Sequence, residues 1–401
     1  MIRIFLLCFF TTVTLFAKVS LGIEQFFLEK GYEKFADKKI GIITNLTGVN
    51  QNGESTIEVF LKHNMKVVAL FSPEHGINGS GYAGEKIGDK KDEIIPVYSL
   101  HGTTRRPTKE MMENIDLFVF DIQDIGSRSY TYLSTLCYVL EEAKTVDKEV
   151  IVLDRPNPLG GMIIDGPMLN EKFRSFIGYV NVPYCHGMTI GELAQFFNEE
   201  YQIKATLTVI PMKGWGRNMN YGQTDLMWLP PSPHIPEWDT AYFYPTTGLM
   251  GELKLANIGI GYTLPFKVVG APWIEQEKYA KAMNELHLPG VYFHPIAYKP
   301  FYGLHKGKLC NGVKIVIYDH KIYQPVSTQF FLLGILKSLY PKKVEQILKS
   351  SNEMFCKACG TDEIYQFLLN DKFPSWKMVS SYRESIESFK KKREKYLLYH
   401  D

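Results

Sequence analysis

Glu74 and His75 stand side by side in Ser72-Pro-Glu-His-Gly76. A carboxyl and an imidazole held together can pass a proton to and from one substrate. A second polar stretch runs Asp121-Ile-Gln-Asp-Ile-Gly-Ser-Arg-Ser-Tyr-Thr-Tyr132 and offers Asp121, Asp124, Arg128, Tyr130 and Tyr132. A helix cap and an Arg–Asp pair would explain one Asp and Arg128, but not the whole set. So many polar groups on one crossover are costly unless they face a ligand or each other. We therefore read the stretch as part of a site, with Arg128 facing Asp121 or Asp124. Asp154 and Arg155 open a third loop, stiffened by Pro156 and Pro158. They suit substrate positioning and mutual pairing equally well. His186, ahead of a helix, is a hydrogen-bonder or a further contact at the same edge.

These residues need elements to carry them. The apolar runs 40–44, 67–71, 117–120 and 150–153 read as buried parallel strands, alternating with helices at 56–63 and 130–144. Such a pattern predicts a doubly wound parallel sheet. The strands end in Asn45, Glu74, Asp121 and Asp154, all at the carboxyl edge where open α/β sheets bind ligands. Thr189 with Glu192 three residues on predicts a capped helix over 189–200. The Pro- and Gly-rich span 228–270 reads as long loops near a domain boundary. Beyond it, helix 275–286, strands 291–295 and 313–318 and helix 328–339 predict a smaller C-terminal α/β domain. The expected organisation is a signal segment at 1–22, a catalytic domain at 23–262 and the smaller domain at 263–401.

The chain has 401 residues and a net charge of +2, which leaves no electrostatic footprint for nucleic acid. Aromatic residues make up 13%, a supply that suits a groove stacking on sugar rings as well as a core. Arg3 precedes an apolar run at 4–16, too short to span a bilayer comfortably. It predicts a secretory signal peptide, cleaved after Ala17 or Gly22, and a periplasmic or secreted protein without stable membrane insertion. An uncleaved anchor is the competing reading. Cys356 and Cys359 form one C-x-x-C with no second pair, and read as packed helix residues. Gly79-Ser-Gly-Tyr-Ala-Gly84 has dinucleotide-fingerprint spacing, but it neither follows a strand directly nor opens a helix. It reads as a loop over Glu74. No serine-hydrolase elbow, zinc-hydrolase motif, phosphate loop or calcium loop is present, so the sequence calls for neither metal nor cofactor.

Taken together, Thr44-Asn-Leu-Thr-Gly48, Ser72-Pro-Glu-His-Gly76, Thr104-Arg-Arg-Pro107, Phe120-Asp-Ile-Gln-Asp-Ile-Gly-Ser-Arg128, Leu153-Asp-Arg-Pro-Asn-Pro-Leu-Gly-Gly161, His186-Gly-Met-Thr-Ile-Gly-Glu192, Pro230-Pro-Ser-Pro233 and Gly270-Ala-Pro-Trp273 resemble the NamZ-type exo-β-N-acetylmuramidases. The resemblance implies a Rossmann-like domain, a smaller C-terminal domain and an active site in the cleft between them. It also implies release of terminal N-acetylmuramic acid from non-reducing ends of peptidoglycan fragments, with Glu74 as the catalytic residue. Glycoside hydrolysis needs an acid and usually a second carboxylate. Glu74 is the expected acid, its pKa raised by burial. Asp124, then Asp121, are the second-carboxylate candidates. His75, Asn45, Arg128, Tyr130, Tyr132, Asp154, Arg155, His186 and Glu252 are the expected sugar-binding set. The chain departs from the family pattern at Gly251-Glu-Leu-Lys-Leu-Ala-Asn-Ile-Gly-Ile-Gly-Tyr-Thr-Leu-Pro-Phe266, which lacks the family's arginines, and at His234. Arginine is the natural partner of a lactyl carboxylate. The 251–262 loop is therefore expected to form a cleft wall and to shift preference toward sugars lacking that group. The competing function is a non-catalytic periplasmic binder of muropeptides.

Overall fold

The computed structural model describes residues 19–28, 31–86, 88–89, 94–349 and 352–400. The apolar run at 4–16 lies outside them. Six strands, β1 (Lys39–Thr44), β2 (Lys66–Ser72), β3 (Val97–Ser99), β4 (Leu117–Asp121), β5 (Glu149–Leu153) and β6 (Leu207–Ile210), form one sheet. Its order is β3-β2-β1-β4-β5-β6, every pair parallel. Helix α1 (Gly22–Leu28) precedes them, and α2 (Thr56–Lys62), α3 (Lys109–Met112), α4 (Tyr132–Thr145) and α5 (Ile190–Glu200) lie between them in the chain.

The strands are apolar on both faces because both are covered. Phe118, Phe120, Val150 and Val152 join the core under α4 and α5. The alternate residues Leu117, Val119, Ile151 and Leu153 join a second core with Ile23 and Phe26 of α1 and Val59 and Phe60 of α2. That period-two division explains the unbroken apolar runs. Thr189 caps α5 with Glu192 in a full capping box, as the spacing predicts.

The C-terminal part of the chain holds α6 (Thr240–Glu252), β7 (Val268–Ala271), α7 (Gln276–Asn284), β8 (Val291–Tyr298), β9 (Cys310–Ile317) and α8 (Pro325–Leu339). Helices α9 (Pro341–Leu348), α10 (Glu353–Cys359), α11 (Glu363–Asn370), α12 (Ser375–Ser381) and α13 (Arg383–Arg393) follow. Its sheet has the order β7-β9-β8 and is antiparallel throughout. Helix α6 lies inside the span expected to be loops. Its sequence, Thr-Ala-Tyr-Phe-Tyr-Pro-Thr-Thr-Gly-Leu-Met-Gly-Glu, is poor in strong helix formers and includes Pro245. Nine of its residues are buried, so packing rather than propensity forms it. Cys356 and Cys359 are buried, free and packed in α10.

Residues 19–22 belong to the first domain's fabric. Ser20 and Lys213 exchange backbone hydrogen bonds at 2.8 and 2.9 Å, and the Gly22 N–H donates to the Asp154 carbonyl at 3.0 Å. Val19 and Leu21 are buried beside them.

Candidate active site

Strand order reverses between β1 and β4, and the carboxyl edge there is where an open sheet leaves a crevice. Pro73 ends β2 and delivers Glu74 to that edge. His75 follows with φ +71°, a left-handed conformation costly for a residue with a side chain and typical of functional turns. Its Nδ1–H donates to the Gly81 carbonyl at 2.7 Å, and the Gly81 N–H returns a bond to the His75 carbonyl at 3.1 Å. The glycine-rich segment therefore folds back over Glu74. The Gly84 N–H donates to Glu74 Oε1 at 2.7 Å, and the Thr131 hydroxyl donates to Oε2 at 2.6 Å. His101 Nε2 lies 3.5 Å from Oε1.

The charge on Glu74 follows from these partners. Burial pushes its carboxyl up, but the Thr131 and Gly84 bonds and the neighbouring His101 and His75 outweigh it. The net effect holds it below the usual glutamate value. The expected rise does not occur, because the loop supplies donors to both oxygens. Asp124 has the opposite surroundings. Its donors are backbone N–H groups of its own turn, Gly126 to Oδ2 at 2.8 Å and Ile125, and its buried Oδ1 has no partner within hydrogen-bond distance. Burial pushes this carboxyl up to about 7. The turn needs glycine at 126: φ is +78°, and a Cβ would stand 2.2 Å from Asn157 Oδ1.

Around these carboxyls stand tyrosines. The Asn45 Nδ2 donates to the Tyr132 hydroxyl at 3.0 Å, and Tyr132 donates to the Pro231 carbonyl. Tyr130 packs edge-on against Tyr132 and Tyr244, with centroids 4.8 and 5.8 Å away. The Ser129 hydroxyl donates to Tyr184 at 2.7 Å and lies 3.2 Å from the Tyr244 hydroxyl. Glu252, Glu74 and Asp124 all press on the Tyr244 phenol, whose pKa burial chiefly raises.

Ser129, Tyr184 and Tyr244 line a cavity of about 390 Å³, large enough for a sugar ring with substituents. Ala83 of the Glu74 loop and His234 enter it from the first domain. Residues Gly251, Glu252, Lys254, Asn257, Ile258 and Ile260 wall it, and Met354 and Ala358 of α10 close it. The 251–262 loop is thus a cleft wall, as the sequence predicts. Glu252 stands exposed there with Lys254, whose φ is +52°.

Several expected site residues lie elsewhere. Asp121 is held by Arg155, with Nε 2.5 Å from Oδ1 and Nη2 2.9 Å from Oδ2, and accepts the Thr56 hydroxyl as well. Both oxygens are satisfied, and the group serves the fold. Arg155 thus pairs with Asp121 rather than with Asp154. Asp154 accepts the Thr189 hydroxyl, the Tyr399 hydroxyl and the Gly191 N–H, which anchors α5 and the C-terminal tail. Arg128 faces neither Asp121 nor Asp124. Its fork donates to the carbonyls of Pro167, Val182, Ala358 and Cys359, tying the crossover to α10. His186 is buried away from the cavity lining, and burial beside Arg393 and Arg128 lowers its pKa to about 3. Sequence reasoning missed Thr131, Gly84, His101 and Tyr244. His101 follows β3, so the strand-end rule that found Glu74 extends to it. Among the described residues no three His, Cys, Asp or Glu side chains converge as a metal site requires.

Residues 40–239 match the family profile described as Exo-beta-N-acetylmuramidase NamZ, N-terminal, and residues 242–399 match its C-terminal counterpart. The chain belongs to the NamZ exo-β-N-acetylmuramidase family of glycoside hydrolases. The peptidoglycan β-N-acetylmuramidase NamZ of Bacillus subtilis (strain 168) is 40% identical over 386 residues, spanning 95% of this chain and 92% of that one. Two crystal structures of DUF1343 family proteins from Bacteroides fragilis NCTC 9343 share the fold. One has a TM-score of 0.87 at 40% identity, covering 95% of this chain and 99% of that one. The other has 0.75 at 28% identity, covering 96% and 100%. Within the NamZ frame, Glu252 is a carboxyl of the cavity lining, whereas Glu74 and Asp124 lie behind it, close enough to the lining residue Tyr244 to act on its phenol, and Lys254 stands in the wall.

Proposed function

We propose that this protein is an exported exo-β-N-acetylmuramidase that removes terminal N-acetylmuramic acid from the non-reducing ends of peptidoglycan fragments. The active site is the cleft between a Rossmann-like, doubly wound domain and the C-terminal domain. Family membership supports the reaction. The apolar run at 4–16 supports export, to the periplasm or out of the cell.

The observation that carries the mechanism is the opposed setting of the two carboxyls. Environments that drive two carboxyls apart assign acid and base. Asp124, protonated near neutral pH, is the proton donor to the glycosidic oxygen. Glu74, ionised and fixed by Thr131 and Gly84, stabilises the positive charge that develops at the anomeric carbon. The bond from that carbon to the leaving oxygen breaks and the oxygen takes the Asp124 proton; water then adds its oxygen to the anomeric carbon and gives a proton back to the Asp124 carboxylate. Tyr130, Tyr132 and Tyr244 shape the sugar pocket.

Leaving-group dependence tests the assignment. Glu74→Gln is expected to lose about a hundredfold or more in turnover on a disaccharide and a nitrophenyl glycoside alike. Asp124→Asn is expected to lose far less on the nitrophenyl substrate, which needs little protonation. The reverse pattern would make Glu74 the acid.

A further inference from the structure

The cavity mouth carries two aromatic rings that the hydrolytic site does not use. Phe301 and Tyr302 are 69% and 46% exposed. Single exposed apolar residues are ordinary, but an adjacent pair on a fixed loop beside a site is not. The loop is pinned to the cavity wall. The Phe301 N–H donates to the Gly261 carbonyl at 2.6 Å, Asn257 Nδ2 donates to the Leu304 carbonyl at 3.0 Å, and the Gly307 N–H donates to the Pro300 carbonyl at 2.8 Å. Tyr262 packs 6.5 Å from the Phe301 ring, and Leu304 lines the cavity itself. The Tyr302 hydroxyl and His234 Nε2 share a hydrogen bond at 2.8 Å.

His234 fixes which side of the mouth this is. It lines the cavity and lies near enough to His75 for that imidazole to depress its pKa, after burial. His75 adjoins Glu74. An enzyme that removes a terminal sugar encloses that sugar and lets the rest of the chain leave by the mouth, on the side of the cleaved bond. The 301–304 loop hangs on the far end of the 251–262 wall, at Asn257 and Gly261, and Tyr302 reaches from it to His234, toward His75 and Glu74.

We propose that Phe301 and Tyr302 form the subsite for the leaving sugar, an N-acetylhexosamine whose C–H face lies on the two rings. The inference rests on the reading of the Glu74 cavity as the hydrolytic site. Rings on a pinned loop lose little freedom on binding, so contact there adds affinity at low entropic cost. His234 holds the Tyr302 ring in place.

The test compares two substrates: N-acetylmuramyl-β-1,4-N-acetylglucosamine, and β-N-acetylmuramyl fluoride, whose leaving group has no ring. For Tyr302→Ala and Phe301→Ala, the ratio of kcat/KM on disaccharide to that on fluoride is expected to fall about tenfold or more. Tyr302→Phe keeps the ring and is expected to stay within about threefold of wild type. An unchanged ratio in both alanine variants, with wild type active on both substrates, overturns the subsite alone. Equal losses on both substrates also overturn it, because they assign the rings to the enclosed sugar or to stability. Wild type inactive on both substrates overturns the hydrolytic reading and this inference with it.

Discussion

Asp124→Asn should make the protein more stable and less active. The buried carboxyl is pushed from 3.8 to about 7, with one oxygen unpartnered. At ~1.4 kcal/mol for each tenfold change in equilibrium, the rise to about 7 is about 4 kcal/mol of preference for the neutral form. The folded pKa lies above the unfolded one, so the unfolded chain gives up this proton first. Stability therefore falls as pH rises from about 4 to about 7, and the full cost persists above that. Asparagine keeps the shape and cannot ionise. Urea unfolding should show the variant up to about 4 kcal/mol more stable than wild type at about pH 8, the advantage fading toward about pH 4. Turnover on the disaccharide should drop about a hundredfold or more, and the loss of wild-type activity above about pH 7 should vanish from the residual rate.

Asp154 is the internal control. Burial raises its carboxyl to about 7 as well. Its oxygens, however, accept from Thr189, Tyr399, Gly191 and the Arg155 N–H. Asp154→Asn must turn an amide NH₂ toward some of those donors, so it should lose stability at about pH 4, where Asp124→Asn is neutral, and should gain less than Asp124→Asn at alkaline pH. An Asp124→Asn protein no more stable than wild type at alkaline pH, or fully active, would refute the reasoning.

Arg128→Lys should cost about 2–4 kcal/mol of stability, because one ammonium cannot serve four carbonyls spread over two domains. Specific activity of the folded fraction should stay near wild type; the tenfold loss of efficiency expected of a residue facing Asp121 or Asp124 would contradict this placement. Lys254 is the cation in the cavity lining, and Lys254→Ala should reduce the preference for muramic over glucosamine glycosides by about fivefold to tenfold, measured as a ratio of kcat/KM. An unchanged ratio refutes a muramic preference that rests on Lys254 pairing with the lactyl carboxylate. Export should leave Lys18 as the first residue, by cleavage after Ala17. Cutting after Gly22 would strip out the buried Val19 and Leu21, and N-terminal sequencing of the exported protein decides between the two sites.

The strands and their edge were legible because both faces of the sheet are covered. That coverage turns each strand into an apolar run with a polar residue at its end. Helix α6 was not, because its tyrosines, threonines and Pro245 are held helical by neighbours far away in the chain. The candidate site divides in the same way. Asp121 and Asp124 are three positions apart and look equivalent in the sequence. Asp121 meets Arg155 across 34 positions and Thr56 across 65, whereas Asp124 meets only its own turn. Local pattern tells where polar groups gather but not which of them long-range partners consume. Satisfaction alone does not select the working group either. His186 Nε2 and Arg128 Nε also lack partners, yet His186 lies among cations away from the cavity lining, and Arg128, behind Tyr184, spends its fork on four backbone carbonyls. Among the carboxyls of the described residues, two conditions together are selective: a polar atom left unmet by the fold, and a place beside the cavity. Asp124 meets both. Glu74 meets the second, with its charge held in reserve by a loop that folds back over it. A hydrolase needs this pairing, since one carboxyl must keep its proton while the other cannot.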